Sequence, residues 1–315
     1  MKFTQKILVP LMAMAAFTAS ATEYPTKPIK LVVTMAPGGG TDLLGRAIAD
    51  PLSKLLGQPV IVENVLGAGG MLGATNVARA APDGHTILLT VTSILQAPLI
   101  YGKAQYDPYK DFAPVTDVAT TALVFSVNKK SNFNTMQEFI AASKGKPISY
   151  GSFGAGSSGQ MVGEVFREGA KLDMTHIGYK GEVPALTDLV GGQVEGAVLS
   201  VRGTLGQDKI HTLAVTGTQR DPRIPDVPTF KEVGIEGLEV LGWYGVFAPA
   251  KTPKDVVKKL SLAINEVIQR DDITQRMDLM ALNKGGSTPE EFAKVYVRDG
   301  QYYKNIIEKF NIKAQ

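Results

Sequence analysis

The chain has 315 residues, 44% of them apolar and 20% charged, with no cysteine and a net charge of +3. Its length corresponds to about two globular domains. The missing cysteines exclude disulfides, thiolate nucleophiles and cysteine metal sites. Near-neutrality leaves no electrostatic footprint for nucleic acid or a membrane surface.

The first residues, MKFTQKILVPLMAMAAFTASATEYP, read as a secretory leader. Lys2 and Lys6 precede an apolar run from Ile7 to Phe17, and Ala19-Ser20-Ala21 fits an A-x-A cleavage site. Cleavage after Ala21 (leader 1–21) removes two lysines and no acid, so the net charge falls from +3 to +1. The apolar run is shorter than the ~20 residues of a spanning helix. No later stretch is long and apolar enough to span. A soluble, exported, periplasmic protein is therefore expected.

KPIKLVVTMA (27–36) predicts a buried strand, and PGGGTD (37–42) turns it into a helix. Leu43, Leu44, Ala47, Ile48, Leu52, Leu55 and Leu56 recur at helical spacing. Pro51 should break or kink that helix, and Gly57 should end it. QPVIVEN (58–64) is a second strand, followed by a glycine turn, GAGG (67–70), and a helix. PDGHTILLTVTS (82–93) is a turn and third strand, with His85 at the surface. The alternation predicts a parallel sheet with helices on both faces.

Residues 111–130 read as one long extended run leaving one domain for another. Thr135 and Glu138 have the spacing of a capping box. A second strand–turn–helix series begins at PISYGS and continues through THIGYKG, EVPALTDLV and VEGAVLS to HTLAVTG (211–217). A proline-punctuated loop with a short helix (221–234) follows. LGWYGVFAP (241–249) crosses back. Two helices close the chain, each with a capping-box spacing and a first-turn proline, from Thr252 and Thr288. The expected layout is one α/β domain of 22–122 plus 247–315 with a second, 123–246, inserted in it. Crossings near 120 and 245 would form the hinge.

Gly154, Gly156 and Gly159 spell the G-x-G-x-x-G dinucleotide fingerprint. Such a site also needs an acid ending the next strand, whereas Asp173 begins it, so this reading is disfavoured. The competing reading is that the glycines simply make tight turns. Against that stands duplication: PGGGTD and SFGAGSSGQ each join a strand to a helix in different domains. A glycine turn opening a helix exposes unpaired N–H groups at the positive end of its dipole. Two such turns facing one cleft would clamp one anion, with hydroxyl donors from Thr41, Ser152, Ser157 and Ser158. Asp42 fits a structural role, capping N–H groups and pairing with Arg46. GAGG is either a third donor turn or packing. His85, His176 and His211 lack metal-ligand spacing, and neither serine of AGSSG sits in a nucleophile elbow. No catalytic residues, metal or cofactor are expected.

Several stretches together resemble the Bug family, the extracytoplasmic receptors of tripartite tricarboxylate transporters. They are YPTKPIKLVV, APGGGTD, GQPVIVENVLGAGGMLGA, APDGHTILLT, YDPYKDFAPV, ISYGSFGAGSSGQM, HIGYKGEVPALTDLVGGQV, RDPRIPDVPTFKEVG and WYGVFAPAKTP, in family order. The resemblance implies a periplasmic-binding-protein-like Venus flytrap of two α/β domains joined by crossing hinge strands. It implies a monomeric receptor for a small organic carboxylate, delivered to one large and one small integral-membrane subunit; a sensing role on the same fold is the alternative. The implied ligand-binding residues are Pro37, Gly38, Gly39, Thr41 and Asp42 in the first loop. In the second they are Ser152, Phe153, Gly154, Ala155, Gly156, Ser157, Ser158 and Gln160. Thr92, Ser93, Tyr179 and Ser200 lie near the family's cleft, with Trp243 near the crossing. Where the family often has an aspartate, this chain has Leu199; Phe153 and Gln160 also depart from the pattern. Those departures imply a mono- or dicarboxylate without an ammonium, with aromatic or long-chain acids among the candidates.

Overall fold

The computed structural model describes residues 24–102 and 104–313. The leader expected at 1–21 lies outside them. The first half-lobe is strand–helix in alternation: β1 (Ile29–Val33), α1 (Gly40–Leu56), β2 (Val60–Asn64), α2 (Met71–Ala78), β3 (Thr86–Val91) and α3 (Ser93–Tyr101). β4 (Phe112–Thr121) then passes through Ala122 into β5 (Leu123–Asn128). The second lobe continues with α4 (Met136–Ser143), β6 (Pro147–Ser152), α5 (Ser158–Ala170), β7 (Asp173–Gly178), α6 (Glu182–Gly191), β8 (Gly196–Ser200), α7 (Val201–Thr204) and β9 (Ile210–Val215). The chain returns through β10 (Gly242–Pro249) to α8 (Lys254–Ile268), α9 (Asp271–Leu279), β11 (Asn283–Lys284) and α10 (Pro289–Lys309).

Two sheets result, in the orders β11-β4-β10-β3-β1-β2 and β7-β6-β8-β5-β9. β1, β2 and β3 are parallel, as are β6, β7 and β8, in line with the alternating pattern. Neither sheet is wholly parallel, however. β10 runs antiparallel to β3 and β4, and β5 antiparallel to β8 and β9. The crossing strands enter each sheet without a crossover helix, so nothing forces them parallel. The expected boundary at 246/247 falls inside β10, whose whole length lies in the first sheet. The crossings are therefore at Ala122 and just before Gly242, where Gly242 pairs with Thr121.

Local chemistry explains most helix ends. α1 buries Leu44, Ala47, Ile48 and Leu52, runs through Pro51 to Leu56, and ends at Gly57 in the left-handed region. Pro51 thus neither ends the helix nor sets its boundary. Thr135 and Thr288 both form complete capping boxes. Thr252 does not: Pro253 takes the N-cap position of α8, no side chain caps it, and the Thr252 hydroxyl is buried without a partner. Around 229–234 only a turn forms. Thr229 and Glu232 bond reciprocally as a capping box would, but Gly234 at φ +86° stops propagation. α3 and α9 carry no clear periodic signal, the first being mostly apolar with Pro98 inside it, the second mostly polar. His85 is buried rather than at the surface, accepting a hydrogen bond from the Thr26 amide.

Candidate functional site

Both glycine loops leave the carboxyl ends of parallel strands, β1 and β6, which is where ligand crevices form in α/β sheets. They meet at a cleft between the two sheets, beside the hinge. It divides into adjoining chambers of about 450 and 360 Å³. Val91, Thr92, Phe153 and Ser158 line both, so Phe153 stands at the partition.

The first loop is held from behind. Gly38 turns at φ +80° and donates its N–H to Asp42 Oδ2 at 2.9 Å. Asp42 also accepts from Arg46 Nε at 3.0 Å and Asn64 Nδ2 at 2.9 Å. It is 2% exposed and does not line the cleft. The Arg46 hydrogen bond, opposed by desolvation and aided by Gly38 and Asn64, draws its carboxyl down to about 2. Asp42 thus holds the loop from behind, the structural role that its pairing with Arg46 suggests. α1 starts after Gly39, and no side chain caps it. Its first-turn N–H groups have no intrahelical acceptor, and Gly38 and Gly40 line the larger chamber.

The second loop is closed on itself. Ser157 caps α5 by accepting from Gln160 N at 3.3 Å. Gly156 donates to Gln160 Oε1 at 2.7 Å, and Gly154 to Ser152 Oγ at 3.3 Å. Two donors expected for an anion are thus spent internally. Ser158 Oγ accepts from Gln96 Nε2 at 3.0 Å, a bond from α3 across the cleft that leaves the serine proton free to donate.

Of the expected residues, Gly38, Thr92, Phe153, Ser158 and Ser200 line the larger chamber. Ser93, Gly154, Ala155, Gly156 and Ser157 line the smaller one with Thr92. The Ser93 hydroxyl is buried there without a hydrogen-bond partner. Pro37, Gly39, Thr41, Ser152, Gln160 and Tyr179 line neither. Thr41 is 4% exposed and Ser152 fully buried. Tyr179 bonds Asp188 at 2.7 Å, and desolvation followed by that bond raises its hydroxyl to about 12. Ser152 lies 2.7 Å from His176 Nε2, but its burial removes it from any substrate. Asp173 sits opposite Pro147, at the far end of β6 from the glycine loop, so no acid stands where a ribose would need one. In the GAGG turn, Gly69 lines the smaller chamber, and a Cβ there would meet Tyr101 and Ala97.

Two charged residues of the larger chamber carry no sequence motif, Glu182 and Arg202. Glu182 opens α6 and accepts hydrogen bonds from both the Ser200 amide and hydroxyl. Burial raises its carboxyl, opposed by Ser200 and Arg202. Leu199 is fully buried in the second lobe's core. Glu182 thus supplies an acid on the cleft wall, where Leu199 supplies none. Trp243 lines the cleft from the first sheet, 2% exposed, with its indole donating to Asp299 at 3.1 Å.

Two α/β lobes, paired crossing strands and a cleft at two helix starts define a two-lobed solute-binding receptor. Residues 44–312 match the model of the tripartite tricarboxylate transporter family receptor, and the chain belongs to that family. It is 32% identical over 312 residues to Protein BugT of Bordetella pertussis, covering 95% of this chain and 94% of that one. Among solved structures, R. palustris Rpa4515 with adipate is 29% identical with a TM-score of 0.79, over 93% of this chain and all of that one. MatC (Rpa3494) from Rhodopseudomonas palustris with bound malate is 31% identical with a TM-score of 0.75, over 90% of this chain and all of that one.

Proposed function

We propose that the protein is an exported, monomeric receptor that holds a small organic carboxylate in the interdomain cleft, without chemical conversion. Residues 24–121 with 242–313 form one jaw and 123–241 the other, flexing at Ala122 and Gly242. The observation that carries the reading is the start of α1: uncapped by any side chain, it opens into a cleft whose opposite wall is the start of α5. Helix starts favour anions by exposed N–H groups and dipole together. The adipate and malate complexes of similar proteins support the ligand class. The family's transporter role supports delivery to a large and a small integral-membrane subunit, and the leader pattern supports a periplasmic setting for it.

Isothermal calorimetry with C4–C8 carboxylates tests this. Several should bind the wild-type protein, and Gly156→Val should abolish binding. Gly156 has φ +73°, and a Cβ there would lie 3.0 Å from Ile100 of the opposite lobe. Undiminished affinity in that variant would remove the second loop from the clamp.

A further inference from the structure

The stretch RDPRIPDVPTFKEVG lines neither chamber of the cleft, but its first residues lie against the hinge. Successive residues of an extended strand point to opposite faces. Along the crossing, Thr121 and Leu123 line the larger chamber, whereas Thr120 and Ala122 line a separate cavity of about 270 Å³. Leu241, Asn283 and residues 216–222 complete its wall. This cavity therefore sits behind the hinge, across the crossing strands from the ligand cleft.

The loop at the rear is stiff and firmly seated. Pro222, Pro225 and Pro228 each fix their own φ. Val215 donates its N–H to the Pro228 carbonyl at 2.9 Å, and Thr216 to the Leu123 carbonyl at 2.8 Å. Asp221 is 3% exposed and grips Arg223 through both carboxylate oxygens, from Nε at 2.7 Å and Nη2 at 2.6 Å. Such a fork fixes the plane and direction of the guanidinium. Arg223 Nη2 also donates to Asn283 Oδ1 at 2.7 Å, on β11 of the first lobe. There Asn283 pairs with Thr120, two residues before the junction at Ala122.

Rotation that opens the cleft in front brings the walls of the rear cavity together. Arg223 and Asn283 are already at hydrogen-bond distance. The guanidinium cannot retreat without breaking its pair with a buried carboxylate, which is strongly disfavoured.

Resting on the two-lobed receptor reading above, we propose that Asp221, Arg223 and Asn283 form a strut behind the hinge that limits how far the ligand-free receptor opens. They are positioning residues. They line no part of the cleft, and they set affinity through the fraction of molecules held near the binding geometry.

The test is small-angle scattering and calorimetry of the purified wild type, Asn283→Ala and Asn283→Asp, with adipate and malate. Asn283→Ala leaves the Asp221–Arg223 pair intact, so its melting temperature should stay near that of the wild type. Its radius of gyration without ligand should exceed the wild-type value, and saturating acid should bring the two together. Its affinity should fall about threefold or more, within the scale of one hydrogen bond to a charged group. Asn283→Asp keeps an acceptor for Arg223 and should keep the wild-type radius and affinity. Equal ligand-free radii for wild type and Asn283→Ala, or a widened Asn283→Asp, overturns the inference, and acid binding by the wild type then leaves the receptor reading standing. Failure of the wild type to bind adipate, malate or any other C4–C8 carboxylate overturns the carboxylate reading instead, since the ligand-free radii decide the strut without it.

Discussion

Asp42 shows how a residue that faces away from a ligand can still shape its site. Its carboxylate collects Gly38, Arg46 and Asn64, and so sets the path of the loop before α1. Asp42→Asn keeps the volume but loses the charge-assisted bonds, and should weaken carboxylate binding about tenfold by calorimetry. Its folded carboxyl, near 2, lies below the ~3.9 of an unfolded chain. The stability it supplies is therefore full above that unfolded value and lost as the pH falls toward 2. Urea melts of wild type and Asp42→Asn should differ at pH 7, with the gap narrowing through pH ~3 and closing only below pH ~2; a gap unchanged at low pH would contradict this. Glu182 has the opposite sign. Burial raises it, so its ionised form is disfavoured in the fold and opposes an anion in the cleft. Glu182→Gln should tighten dicarboxylate binding several-fold at pH 7. Weaker binding would mean that its tether on Ser200 outweighs its charge.

At the scale of elements, the first lobe's α3 and the second lobe's α5 are hydrogen-bonded through Gln96, which bonds both Thr92 and Ser158, and Met161 of α5 is buried in the same apolar cluster as Ile94 and Ile100 of α3. Gln96→Ala removes the direct bond across the cleft. Small-angle scattering should then show a larger radius of gyration without ligand, restored by it; an unchanged radius would show that the latch does not hold the lobes. Within the second lobe, α5 approaches β6 only because residue 163 is glycine. A Cβ there would overlap the fully buried Tyr150 ring. Gly163→Ala should cost ~1–3 kcal/mol by denaturant melting, the usual range for overpacking.

Elements with local signals were legible from sequence: the alternating strands, the Thr135 and Thr288 caps, the Gly57 stop and both glycine loops. Those set by distant partners were not. The antiparallel fit of β10 rests on pairs such as Val246 with Leu89, far apart in the chain. Similarly, Glu182 and Arg202 reach the cleft through the packing of α6 and α7 on β8, which no spacing encodes. Gly154 and Gly156 were read as free donors because the side chains that occupy their N–H groups, Ser152 and Gln160, read as donors or ligand contacts themselves.

The whole molecule joins two sheets by paired strands, with Gly242 opposite Thr121 beside the junction at Ala122. Further contacts tie α10 to the second lobe, including Lys309 with Glu168 at 2.5 Å and Tyr302 with the Gly237 carbonyl at 2.7 Å. Motion about the hinge must therefore slide or break contacts along α10, while the cleft side opens by losing Gln96–Ser158. A ligand held between the starts of α1 and α5 would favour the closed form by its differential contacts with it. The decisive measurement is a thermal-shift comparison of each organic acid with its uncharged amide. At about 100-fold above Kd, a bound acid adds ~2.7 kcal/mol of stability. The acids should raise the melting temperature by several degrees and the amides should not. Equal shifts from the amides, or none from any acid, would contradict an anion clamp in this cleft.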